Sequence, residues 1–369
     1  MKKNKALLIY QDALKLKDKP GLQNKTQMEV LLKKSISLDK NLKEAKLLLA
    51  HIYIYFLRKF SESIEIYNEV LDQVDENDNM NYISCQNGLG LAHSFRGFSK
   101  DSIKDYHSSI SYLNKTHDYL ISHQKTSKPY LTQCLNWLGV SYLGAGDYNS
   151  AIKTLDVALS VEDKNGQNQG NKSNKTNNVN KEDEKNGALS KLLEENNVFT
   201  NYVIGNCHDH VGNFEKAIDI LTRVKTYYEK NNNVFWLKNT LAVLGSTYYK
   251  RDMYYESVQQ LNIFYKHKGI ETEFHTESLA KLCYMLSMVK TGEDIDKRDR
   301  DNFMKKCEKD LINGTYEHYF FLFELTSKIT FLQTAHNKVQ KIINHLSHDK
   351  KTIFSKCPIP LKIIRAFNE

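Results

Sequence analysis

One stretch, Leu131–Val161 (LTQCLNWLGVSYLGAGDYNSAIKTLDVALSV), limits what this chain can fold into more than any other. Two helical patterns flank a short polar turn. The first carries Leu135, Leu138, Gly139 and Tyr142; the second carries Ala151, Ile152, Leu155 and Ala158. Spacings of three and four set each group on one helix face. Gly139 and Ala151 are small, so two helices can cross closely at that level. Gly146-Asp147-Tyr148 supplies the break: Gly permits the turn, and Tyr148 is expected to plug the gap between the helices.

The pattern recurs. Leu49, Ala50 and Tyr53 precede Phe60, Ser63, Ile64, Tyr67 and Val70, with a turn about one residue longer than usual. Leu89, Gly90 and His93 precede a turn at Gly97, and Ser102, Ile103, Tyr106 and Ser109 follow. Ile204, Gly205 and His208 precede Gly212-Asn213-Phe214, then Ala217, Ile218, Leu221 and Val224. Leu241, Leu244, Gly245 and Tyr248 precede Tyr254, Ser257, Val258, Leu261 and Phe264.

These units resemble tetratricopeptide repeats, helix-turn-helix modules of about 34 residues. Ser35, Ile36, Leu38, Asp39 and Asn41 look like a junction between two such repeats, with Lys40 where the family usually has Pro. The resemblance covers Ser35 to Phe264 apart from one insertion. It implies an all-α fold, a right-handed α-solenoid of antiparallel helix pairs. The small residues Ala50, Gly90, Gly139, Gly205 and Gly245 stand 40, 49, 66 and 40 residues apart. Helices longer than the repeat consensus by about a turn and a half follow.

Composition agrees: four prolines in 369 residues and no alternating strand pattern. The organisation expected is TPR-like repeats over 1–163, an insertion over 164–186, further repeats over 187–268, and degenerate or capping helices over 269–369. The insertion, KNGQNQGNKSNKTNNVNKEDEKN, is nearly free of apolar residues and is expected to lack fixed structure. Pro358-Ile359-Pro360 is expected to hold the last segment extended, with Leu361-Lys362-Ile363-Ile364 packing back.

The net charge of +8 is concentrated at one end: Met1 to Lys46 holds twelve Lys against five acids. The six cysteines form no CxxC pair, which suits buried thiols in a reducing compartment, cytoplasmic or nuclear. No stretch reads as a membrane span. There is no phosphate loop, HExxH, nucleophile elbow or zinc-type cysteine spacing. His208 and His210 sit beside Cys207, but near-neighbours on a helix point in different directions and do not readily share an ion. His93 stands where the family prefers Tyr and reads as a packing histidine. No catalytic residue, metal or cofactor is therefore expected.

What remains is a non-catalytic protein-interaction scaffold or adaptor, a subunit of a larger complex, binding a partner peptide or helix on the concave wall lined by the first helix of each pair. Residues of that wall outside the core set are Asn87, Phe95, Asn136, Tyr202, Asn206, Asn239, Tyr249 and Lys250. A clamp for chaperone C-terminal tails is not expected. The places that would carry its Lys and Arg hold Leu47, His51, Gly88, Gln133 and Trp137. The alternative is an RNA-associated repeat protein using the basic first 46 residues.

Overall fold

The computed structural model describes residues 2–17, 19, 21–74, 79–122, 128–163, 181–270, 272, 274–310 and 314–369. The regular elements among them are helices, with no strand. The chain divides into two compact units, Met1–Gly144 and Ala145–Glu369. The boundary falls inside the Leu131–Val161 stretch, so its first helix ends one unit and its second begins the other.

The first unit holds α1 (Lys2–Leu14), α2 (Leu22–Leu38), α3 (Lys43–Ile52), α4 (Phe60–Leu71), α5 (Asn79–Lys100), α6 (Ile103–Ser122) and α7 (Lys128–Gly144). Each helix packs on the next, and α3–α5 and α5–α7 also touch, the arrangement of stacked helix pairs. Close approach depends on small residues. Ser35, Ser63 and Ser109 donate through Oγ to the carbonyls of Ala6, Ala50 and Gly90 at 2.7, 2.9 and 2.7 Å. A helical carbonyl has a second lone pair, and only a helix lying very near can reach it. The longer turn read between Ala50 and Ser63 is a π-helical turn, Tyr53–Leu57, which continues α3 and ends at Arg58 with φ 55°.

Gly97 is not a turn. Helix α5 runs through it to Lys100, and the reversal comes at Asp101 with φ 48°. Gly97 instead makes room for Tyr106, whose ring would lie 3.1 Å from a Cβ there. Ser109, on the second turn of α6, is the serine that meets Gly90.

The second unit holds α8 (Tyr148–Asp163), α9 (Lys181–Val211), α10 (Phe214–Lys230), α11 (Val234–Lys250), α12 (Tyr254–Lys266), α13 (Phe274–Lys290), α14 (Lys297–Asp310), α15 (Tyr316–Thr326), α16 (Ile329–His345), α17 (His348–Ser355) and α18 (Pro358–Asn368). Most of the Asn/Lys-rich insertion, residues 164–180, lies outside the described residues, and α9 begins at Lys181. The pairs α9–α10 and α11–α12 follow the sequence register. A Cβ at Gly205 would lie 2.6 Å from Leu221 Cγ, and one at Gly245 would lie 2.5 Å from Leu261 Cγ. Ser257 donates to the Gly245 carbonyl at 2.8 Å and accepts from Ser287 at 2.9 Å.

The last helices return to the start of this unit. Helix α18 packs on α15, α16 and α9. Tyr148 is buried between His210, 5.0 Å away and stacked, and Phe354, 5.9 Å away; its hydroxyl meets that of Tyr316 at 2.9 Å. Pro358-Ile359-Pro360 is not extended: it forms the first turn of α18. Proline is tolerated there because the amide it lacks has no helical partner, and its φ already suits the helix. Ile363 of the same tail is fully buried, as packing back requires. All six cysteines are buried and no disulfide joins them. Among the described residues no helix is long and apolar enough to cross a membrane.

Candidate functional site

In the first unit the faces of α3, α5 and α7 carry a run of rings. His51 and Tyr55 are one helical turn apart, with ring centroids 4.5 Å apart. Tyr55 meets Phe95 edge-on at 6.0 Å, and Phe95 meets Trp137 at 4.9 Å. Phe60 stacks beneath Phe95 at 5.9 Å and is buried. Tyr55 and its neighbour Phe56 are 37% and 44% exposed, while Phe95 and Trp137 are half-buried against the core. The π-helical turn aims Tyr55 along this face. Gly88 serves the same region from below, since the Tyr67 ring occupies the space a Cβ would take.

The basic end borders this face. Lys25 reaches the Lys17 carbonyl with its ammonium and lies 4.7 Å from the Phe56 ring centroid. Partial desolvation, then the charges of Lys17 and Lys25, hold the His51 imidazole below its ordinary pKa. Elsewhere the basic charge is dispersed. Lys15, Lys33 and Lys46 pair with Asp12, Glu29 and Glu69, each at 2.7 Å. That arrangement gives the RNA reading no support.

The eight wall residues read from the sequence fall in unlike surroundings. Phe95 belongs to the ring run. Asn87 and Asn136 are buried on α5 and α7. Tyr202, on α9, is half-buried with Trp236 at 5.6 Å. Asn206 and Asn239 donate back to the carbonyls of Tyr202 and Phe235, at 2.9 and 2.8 Å; Asn206 is half-buried and Asn239 buried. Tyr249 and Lys250 are buried and engaged within the chain. The Tyr249 hydroxyl donates to Glu324 at 2.9 Å, and Lys250 reaches Asp209 at 2.6 Å and Glu317 at 2.8 Å. Helix α15 thus covers the end of the α11 face where those two residues lie.

Asp209, His210 and Glu317 bring one ligand atom each to within 4.8 Å of one another. The Lys250 ammonium bonds both carboxylates and already supplies the positive charge such a group needs. Burial disfavours the charged lysine, yet Asp209 and Glu317 overcome it and hold its pKa above the ordinary range. Burial likewise works against the Glu317 carboxylate, and Lys250 with His210 holds it below. The cluster is an internal ion network. His93 is also internal: its Nδ1 lies 2.9 Å from Asp105, which Arg96 grips at 2.6 Å, and its ring stacks on Tyr112.

Sequence reasoning missed Tyr55. The signal was present in Tyr53-Ile54-Tyr55-Phe56, four large residues in a row where one helix face buries about half.

No protein-family profile matches this chain, and no curated protein matches it. Solved structures do. The Rap conjugation gene regulator of a plasmid, in complex with the Phr* peptide, is 12% identical with a TM-score of 0.53, over 99% of this chain and 96% of that one. A Rap protein complexed with competence and sporulation factor is 14% identical with a TM-score of 0.53, over 99% of each chain. Aspartyl phosphate phosphatase F from Bacillus subtilis is 14% identical with a TM-score of 0.50, over 92% of this chain and 76% of that one. At these identities the likeness concerns the fold alone, an all-α array of stacked helix pairs.

Proposed function

We propose that this protein is a non-catalytic interaction scaffold whose first unit takes a peptide segment of a partner on the face of α3, α5 and α7. The observation that carries the reading is the run His51–Tyr55–Phe95–Trp137, rings from three alternate helices in contact and open to solvent at Tyr55. Large rings on a rigid frame lose little entropy on binding and supply much contact area, which is why they anchor interfaces. One structurally similar protein was solved with a peptide bound, which supports the same use of the fold. The segment 269–369 then acts as a cap: its helices cover part of the α9 and α11 faces, leaving the first unit's face as the better docking surface.

The test is selection of a displayed random peptide library on the full chain, followed by titration of the selected peptides. Trp137→Ala and Phe95→Ala should each weaken binding by about tenfold or more, as loss of about 1.4 kcal/mol implies. Circular dichroism checks that both variants remain folded. Peptides that bind both variants as they bind the wild type would move the site elsewhere.

A further inference from the structure

We propose that the partner segment is an acidic one: apolar or aromatic side chains lie along Tyr55, Phe95 and Trp137, and an Asp or Glu side chain meets the cationic end of the face at His51 and Lys17, with the buried Lys25 adding its field. The inference rests on the docking face proposed above and adds the polarity of its occupant. The face is uneven along its length. Its middle and far end carry the rings of Phe95 and Trp137, with the half-buried neutral amide of Gln133 one turn before Trp137 on α7. Its near end is positive. Lys17 is exposed, whereas Lys25 is buried, its ammonium fixed over Phe56, beside Tyr55 in the chain, and contributes through its field. His51 touches Tyr55, the first ring of the run, at 4.5 Å, and both cations act on it.

Glu29, one helical turn after Lys25 on α2, is already committed. Glu29 Oε1 accepts from Lys59 at 2.7 Å and from the Tyr53 hydroxyl at 2.9 Å, and lies 2.7 Å from Lys33. Its carboxylate is thus engaged by those three groups rather than by His51. An incoming carboxylate gains from that positive end, whereas an incoming Lys or Arg is repelled by it; complementarity of this kind selects partners and speeds encounter. The rings supply the sequence-tolerant part of the affinity, and the cations fix which end of the segment points toward α2.

The library selection discriminates. Peptides recovered on the full chain should be enriched in Asp or Glu at one end of an apolar or aromatic core. Replacing that acid by Gln or Asn in a recovered peptide should weaken binding roughly tenfold, the scale of a charge contact at an interface. The exposed-site variant Lys17→Glu should weaken the acidic peptide to a similar degree and favour its Lys-substituted counterpart. It leaves the Lys17 carbonyl, and so its bond to Lys25, in place. Amidating the peptide C-terminus should change nothing; loss of binding on amidation would show that a chain terminus supplies the carboxylate and overturn the side-chain assignment. Recovered peptides that need Trp137 but lack acids, or are indifferent to Lys17→Glu, would overturn the inference and leave the docking face standing. Peptides indifferent to Trp137→Ala, or no recovered peptide at all, would overturn both.

Discussion

Lys250 Nζ lies 2.6 Å from Asp209 Oδ2, with the two side chains 2% and 4% exposed. Glu317 on α15 completes the group at 2.8 Å from the same ammonium. A cation this deep is tolerated because two carboxylates surround it, and the carboxylates are tolerated because of the cation. The cluster joins α9, α11 and α15, so it ties the returning C-terminal helices to the repeat they cover.

Lys250→Met should therefore be far more damaging than its volume change suggests. It leaves two buried carboxylates facing each other, and breaking one member of a buried network costs about 3–5 kcal/mol. Denaturant titration of the full chain measures it. Combining Lys250→Met with Glu317→Gln and Asp209→Asn should recover part of the loss, because the stranded charges are gone. A triple variant as unstable as the single one would show that packing, not charge, holds this seam.

The small residues give a second expectation. Leu261 Cγ stands 2.5 Å from where a Gly245 Cβ would be, so Gly245→Leu should destabilise by about 1–3 kcal/mol or more through overpacking. Ser257→Ala should cost about 1 kcal/mol by removing the bond to the Gly245 carbonyl and the contact with Ser287. Thermal melts read both. A neutral Gly245→Leu would mean that α11 and α12 separate freely at that level.

The repeat register was legible at two pairs of small residue and partner close in sequence. Gly205 with Leu221 and Gly245 with Leu261 stand as their spacing implied, since periodicity reports a helix face directly. Gly97 misled because glycine serves turns and tight packing alike, and only the position of Tyr106 separates the two. Tyr249 and Lys250 were readable as α11 residues. Their cover was not, because Glu317 and Glu324 come from α15, some seventy residues later, and no local pattern encodes that return. Tyr55 was hidden for a related reason. A π-helical turn shifts the face on which later residues point, and a 3.6-residue count does not register it.

Glu29 makes acid stability specific. Burial alone would raise its pKa, but hydrogen bonds from Lys33, Lys59 and Tyr53 outweigh burial and hold it at about 2, against an ordinary 4.5. A folded-state pKa below the unfolded one means that the unfolded chain binds the proton first. The stabilisation is present above pH 4.5 and is lost as pH falls from there toward about 2. Glu29→Gln should be less stable than the wild type at neutral pH and nearly equal to it near the lower end of that window. Both lysines are partly exposed, so added salt should shrink the difference. Urea midpoints at several pH values give the comparison; a constant gap across the window would remove Glu29 from the acid response.

Binding of an acidic segment should also depend on pH through His51. In the free protein the imidazole is held below its ordinary pKa, first by desolvation and then by Lys17, in the turn after α1, and Lys25, on α2. Its remaining ring neighbour here is Tyr55, which burial keeps protonated by raising its pKa to about 12. A carboxylate brought beside His51 favours the imidazolium and raises the pKa. The complex then holds more protons than the free protein. Affinity should be greatest at the acid end, fall as pH rises through the bound-state pKa, and level off above it. One group can change affinity by at most about tenfold per pH unit. Titrating a selected acidic peptide between about pH 5.5 and about pH 8 covers the range where histidine changes charge while side-chain carboxylates stay largely ionised. His51→Gln keeps a polar side chain on this exposed position and should flatten the profile at the weaker, high-pH level. An undiminished slope in that variant would assign the proton to another group and detach His51 from the docking face.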